Sequence, residues 1–438
     1  MLQAGLSLLI LIVGILSGLP VAFGFTAAVL FMILALGYDP MFLVPYSFNR
    51  MRSLVLLAIP FFILAGNIME KGDVTKYLIA FIDSIVSRIK GGMAAVGVIA
   101  NGIFGAISGS AAAAICCIGP IMIPRLESEG YPRGYATSIM TSAAGLALLI
   151  PPSLSMIFYG WLTYTSVTAC FLAGFFPGVL LMFFLIAFNR IAVGRMPTIR
   201  KPRPWGDPKQ ASKEVFSTGF RALPALSIPV LILGSIYAGI ATPTEAAAVA
   251  MVYAIPLGFF IYRGMTLKGF ANALTDSSAT IGAVMVLLFL AMMLGRMFVM
   301  ENVPETITAM MLSISENKYV ILLMVNAILI LMGMFMDDVT GLVIGAPLLL
   351  PVVQAIGISP VHFSAIITTN LIMGLFTPPM APLIYIGQRI GNTTFPAMIR
   401  TSMLLVVFCY LPVLLVSTYW PPIAEWLPRL VLGARVIG

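Results

Sequence analysis

Polar residues are sparse along this chain, and their positions divide it into segments. Apolar runs of about 17 to 20 residues recur from one end to the other, and a run of that length spans the hydrocarbon core of a bilayer. They predict ten crossings, at about 2–19, 20–37, 53–70, 134–168, 171–189, 223–239, 243–262, 280–300, 361–387 and 401–420. Two segments, 91–125 and 318–357, fit none of these. Each has two apolar arms around a polar or glycine-rich middle, the pattern of a re-entrant hairpin that enters and leaves on one side. Two more stretches carry apolar residues at helical spacing with charges between them. VTKYLIAFIDSIVSRIK (74–90) is one, and VPETITAMMLSISE (303–316) is the other. Both predict amphipathic helices lying in the membrane interface.

The pattern occurs twice. Pro120 and Pro347, Pro124 and Pro351, Gly130 and Gly357, Pro151 and Pro378, Pro152 and Pro379, and Gly160 and Gly387 are all 227 positions apart. The interfacial helices and the hairpins fall at the same offset. Each unit then holds five crossings, one interfacial helix and one hairpin. Five is odd, so the second unit enters the membrane the other way up, and inverted repeats of this kind mark secondary transporters. The expected fold is an all-α polytopic membrane protein with inverted repeats, about ten transmembrane helices (two of them broken), two re-entrant hairpins and amphipathic arm helices. Its expected parts are unit one at 1–189, a basic linker at 190–222 and unit two at 223–438.

Composition agrees with a membrane protein. Hydrophobic residues make up 60% of the chain and charged residues 9%, whereas soluble domains carry about 25% charged residues. The first apolar run has no basic leader and reads as a retained span. The four cysteines, Cys116, Cys117, Cys170 and Cys409, lie in apolar stretches without metal-ligand spacing and read as free thiols. The net charge of +8 could suggest nucleic acid, but the basic residues concentrate in one stretch, 190–221. Cytoplasmic loops are enriched in Lys and Arg. With that stretch in the cytoplasm, both termini lie outside and most of the 24 basic residues fall on the cytoplasmic side. The charge is a topology signal, and no nucleic-acid partner is expected.

The chemistry is expected where the helices break. Unit one offers GAISGS (105–110) and LIPPS (149–153), and unit two offers MFMDDVTG (334–341) and LFTPPM (375–380). Irregular backbone is tolerated in a membrane only where protein buries it or water reaches it. Proline frees carbonyls, and glycine lets the chain turn. Those carbonyls, with Ser, Thr and Asp oxygens, suit a small hard cation, while half-helix N-termini suit an anion. Small residues also serve tight helix packing, so each break alone is ambiguous. Asp337 and Asp338 sharpen the choice, because a carboxylate inside a span costs a few kcal/mol and so usually has a functional partner. Asp337 is the stronger candidate, since it aligns with the tip residue Ser110.

FGAISGS, IMIP, LIPPSLSMIFYG, ATPTEAAAVA, APLLLPV and GLFTPP together resemble the large membrane subunit of TRAP transporters (tripartite ATP-independent periplasmic transporters), in order from about residue 18 to about 387. The resemblance implies sodium-driven uptake of an organic anion, a carboxylate or a sulfonate, across a bacterial inner membrane. It implies an elevator motion of a core formed by 91–168 and 318–389 against a scaffold of the remaining helices. It also implies two partner proteins, a periplasmic substrate-binding protein and a small four-helix membrane subunit carried on a separate chain. One sodium site would use Ser108, Gly109 and Ser110 with the break around Gly145. The other would use Asp337, Gly341 and Thr377. The substrate would lie near Thr141, Ser153, Asn370 and Thr377. Sodium is the expected coupling ion, with no other cofactor. The run Ala111 to Ala114 and the glycine-poor AAGLALL (143–149) depart from the family pattern at the cation ligands.

Other residues carry two readings. Arg296, late in a span, can pair an anionic substrate or snorkel to the interface. Arg389 reads as a topology anchor, His362 as a loop residue, and Glu245 as a helix cap. A self-sufficient ion-coupled dicarboxylate transporter would share the inverted hairpins. An intramembrane enzyme is disfavoured, since no HExxH or GxSxG occurs. A channel fits the paired interruptions less well than alternating access does.

Overall fold

The computed structural model describes residues 2–200 and 208–433, and part of the expected linker, 201–207, lies outside them. The described residues are helical, without strands. Both expected hairpins form. The first pairs Gly92–Ser108 with Ala111–Ser128 around a turn at Gly109, and the second pairs Lys318–Phe335 with Asp338–Ala355. A broken helix follows each. Arg133–Ala144 and Leu146–Leu149 lead to the first break and Leu154–Thr163 leaves it. Pro360–Leu375 and Pro382–Ile390 flank the second. The arm helices are Val74–Val86 and Val303–Ile314. The repeat read from proline spacing is therefore present in the helices themselves.

Among the described residues, ten helices are long and apolar enough to cross a membrane, but they are not the ten expected. Three are hairpin arms: Ala111–Ser128, Lys318–Phe335 and Asp338–Ala355. The expected crossings Leu2–Leu16, Val21–Leu36 and Pro360–Leu375 are shorter apolar helices. An 18-residue arm is about 27 Å long, so length alone cannot tell an arm from a span. The packing of the tips, described below, does. Boundaries also move. Pro208–Tyr237 and Leu267–Met300 start well before the expected 223 and 280, because charged first turns project beyond the apolar run. Two helices were not foreseen, Pro40–Met51 and Pro422–Leu432. Both mix prolines and polar residues into sequences too short to register as crossings.

Packing sorts the helices into two groups. Leu2–Leu16, Val21–Leu36, Pro40–Met51, Leu54–Lys71, Pro243–Pro256 and Leu267–Met300 pack on one another as a frame, which Pro208–Tyr237 joins. The hairpins and broken helices pack together as a core. Val167–Gly194 and Phe395–Tyr419, read from the sequence as scaffold, pack against this core.

Candidate functional site

The first tip is built by glycine. Gly109 has φ +62°, a left-handed turn that closes the hairpin at little steric cost. Its carbonyl accepts from the Leu154 amide at 3.3 Å. A side chain at Gly109 would meet the Pro152 carbonyl oxygen at 3.1 Å. The tip thus rests on the proline break, partway along the 31-residue stretch Arg133–Thr163. A hairpin whose tip ends at mid-helix is re-entrant, and this settles what arm length left open. Ser110 caps Ala111–Ser128, accepting from the Ala113 amide, while Ser108 packs against Gly66 of the frame. Ser153, at the break, is buried and its Oγ has no partner among the described residues.

The second tip carries the carboxylates. Asp337 is the N-cap of Asp338–Ala355 and accepts a hydrogen bond from the Thr340 hydroxyl. Asp338 reaches the other unit, where Ser155 Oγ donates to Asp338 Oδ2 at 2.7 Å. Neither aspartate takes part in an ion pair with Lys or Arg among the described residues. The oxygens at the tips are thus carboxylates, hydroxyls and break carbonyls, hard donors of the kind that bind hard cations. The exchange between units is reciprocal. Leu154–Thr163 packs along Asp338–Ala355, and Pro382–Ile390 packs along Ala111–Ser128.

The remaining expected site residues divide. Thr377 lies in the second break, its hydroxyl turned back to the Met373 carbonyl at 2.6 Å. Asn370 is buried, donating to Asn326 Oδ1 and to the Ile366 carbonyl, both at 2.8 Å, with its own Oδ1 unpartnered. Three residues sit in tight packing. Thr141 fills the space opposite Gly387, Gly341 admits the Leu371 side chain, and Gly145 admits Ile372 and the Tyr410 hydroxyl. The structure brings Arg296 elsewhere, over the rings of Tyr46 (5.1 Å) and Phe42 (5.7 Å) on the unforeseen helix Pro40–Met51. His362 is no loop residue. It is buried in Pro360–Leu375, with Nε2 2.7 Å from the Ser417 carbonyl oxygen. Glu245 does cap its helix, in a complete capping box with Thr242. Sequence reading missed Ser155, Asn326 and Tyr410. Ser155 and Tyr410 gain their roles from contacts across the units, Asn326 from its contact with Asn370, and no local spacing shows any of the three.

Paired hairpins resting on broken helices in two related units define a membrane transporter. Comparison with known proteins agrees. The family described as "Tripartite ATP-independent periplasmic transporter, DctM component" matches residues 8–423. The chain belongs to this family. It is 36% identical over 419 residues to the protein YgiK of Salmonella typhimurium, covering 94% of each chain. It is 32% identical to the sialic acid TRAP transporter large permease protein SiaM of Vibrio cholerae, covering 95% of this chain and 96% of that one. It is 34% identical to the isethionate permease protein DctMQ of Oleidesulfovibrio alaskensis, covering 93% of this chain but 63% of that longer one. The crystal structure of the YdaH transporter of Alcanivorax borkumensis shares the fold at a TM-score of 0.59 and 14% identity, covering 86% of this chain and 87% of that one. The protein is accordingly a multi-pass bacterial inner-membrane component of a tripartite transporter.

Proposed function

We propose that this chain is the permease through which an organic anion, a carboxylate or sulfonate delivered by a periplasmic binding protein, enters the cell together with sodium. The observation that carries this reading is the meeting of each hairpin tip with the first broken helix: Gly109 with Leu154, and Asp338 with Ser155. Sodium at Asp337 and at the Ser110 tip would neutralise carboxylate charge and draw break carbonyls inward. The anion would then take the neighbouring amides and hydroxyls around Ser153. The small membrane subunit is expected as a separate partner.

The motion we infer is a slide of the core along the frame. Among the described residues, no hydrogen bond joins either hairpin to the frame spans Leu54–Lys71 and Leu267–Met300. The contact between Leu267–Met300 and the second hairpin is apolar, with Ala291, Leu294, Gly295 and Phe298 facing Val343, Ile344 and Leu348. Such a surface changes partners without stranding a polar group.

The test is thermal unfolding of the purified chain in sodium against choline at equal ionic strength, with Asp337→Ala and Ser110→Ala alongside. A cation at a hundred times its dissociation constant adds about 2.7 kcal/mol. A sodium-specific rise, weakened in both variants, is the expected result. A parent equally stable in both salts would refute sodium binding at the tips.

A further inference from the structure

A cavity of about 1050 Å³ opens between frame and core, walled on the frame side by residues 49–50, 52–55 and 242–245 and on the core side by residues 160–161 and 164–168. The 28-residue helix Val167–Gly194 begins here and ends near Arg190 and Arg195, so the cavity lies on the face opposite the basic stretch. Its electrostatics lean positive, with two arginines against one carboxylate in the lining. Arg50 and Arg52 both line it, and the long helix Val167–Gly194 starts at its wall, while the start of Pro243–Pro256 is closed by its own capping box. Helix N-termini present free amides and a positive dipole end. The one acidic residue in the lining, Glu245, is engaged by the Thr242 amide and hydroxyl at 2.8 Å.

Arg50 is held in place without being neutralised. Its guanidinium lies 4.6 Å from the Tyr164 ring centre and 5.7 Å from that of Trp161, and its Nε is buried with no acceptor among the described residues. Stacking on rings fixes the planar group and leaves its donors for an oxygen anion. Arg52 is exposed beside it. Thr165, Ser166 and Thr168 add hydroxyls, and the volume exceeds that of a small organic acid.

From this geometry we propose that the cavity is a binding site for a small carboxylate or sulfonate anion, a stopping place before the hairpin tips. The proposal rests on the reading that the chain passes an organic anion, and it adds the place where that anion is first held. Arg50 and Arg52 bind the anionic head, and the first turn of Val167–Gly194, where Ser166 caps only the Ala169 amide, supplies its remaining donors. Arg50 also touches the core through Trp161 and Tyr164, so the anion sits at the boundary across which the core would move.

The test needs no knowledge of the natural substrate. Asn49→Cys places a thiol in the cavity of a chain whose exposed Cys116 is replaced by serine. Its reaction rate with sulfonatoethyl methanethiosulfonate, an anion, is compared with that of the trimethylammonium analogue, a cation. Ser313→Cys, on the surface outside the cavity, is the reference. The expected anion-to-cation ratio at position 49 exceeds the reference by about tenfold or more. Arg52→Gln, at an exposed position, and Arg50→Gln each lower it several-fold. Isethionate or succinate, at ionic strength held constant with chloride, slows modification of the parent and not of the double glutamine variant. A ratio equal to the reference overturns the proposal. So does a raised ratio with no protection by small anions, which would describe a seat for a partner protein's acidic side chain. The labelling is run without sodium, so a failed sodium response leaves this result standing by itself.

Discussion

Gly374 offers a test of how the second hairpin is held. Gly374 and Gly333 face each other where Lys318–Phe335 crosses Pro360–Leu375. A Cβ at 374 would come within 2.6 Å of the Gly333 Cα and 2.7 Å of the Ile330 carbonyl oxygen. Ordinary carbon contacts lie at about 3.5–4.0 Å, so Gly374→Ala must part these helices by roughly 1 Å. Backbone stands on the far side, so no rotamer change relieves the clash. Overpacking of this kind costs about 1–3 kcal/mol. One turn away, Asn370 donates to Asn326 at 2.8 Å. A 1 Å separation breaks that bond, for a further 0.5–1.5 kcal/mol or so. Against this stands a gain of at most about 1 kcal/mol from replacing glycine in a helix. The net expectation is a loss of about 0.5–3.5 kcal/mol. Gly295→Ala is the control, since an added Cβ there meets nothing within 4 Å. It should be neutral or stabilising by up to about 1 kcal/mol. The assay is unfolding of the purified chain, with hydrogen exchange over 318–335 and 360–375. Exchange in Gly374→Ala should be roughly tenfold faster or more in both segments. Parent-like stability and exchange would show that the helices slide apart without cost, and the account of this contact would be wrong.

Tyr410→Phe removes the 2.6 Å hydrogen bond to the Ser142 carbonyl, which then keeps only the Gly145 amide, at 3.1 Å, as donor. The expected loss is about 0.5–1.5 kcal/mol in the same unfolding assay, and an unchanged midpoint would mean that this bond across the units adds nothing to stability. Arg296→Gln should lower stability by about 0.5–2 kcal/mol through the lost ring contacts with Phe42 and Tyr46, while leaving the sodium response as in the parent. A variant of parent stability that no longer takes up the anion would instead return Arg296 to the substrate site.

What this sequence determined by itself is everything that depends on one-dimensional spacing. Apolar run length sets which segments can enter a membrane. The helical period of 74–90 and 303–316 marks the arm helices, and the 227-residue offset of the prolines reveals the two units. Gly109 and the paired prolines mark the breaks, because backbone limits on Gly and Pro are local and act before any packing. Those signals were sufficient to locate the hairpins to within a few residues. The tertiary structure alone decided which helix touches which. Re-entry of the first hairpin rests on Gly109 meeting the break at Leu154, not on arm length. Asp338 found Ser155 in the other unit, 183 positions away, and Tyr410 found Ser142, 268 positions away. Arg296 went to rings on a helix that hydrophobic length could not reveal. Val167–Gly194 and Phe395–Tyr419 pack against the core through the faces they bury. The physical reason is common to all of these. Local spacing records what a residue prefers along its own helix, whereas a partner across the fold is fixed only when whole helices dock and bury their faces together.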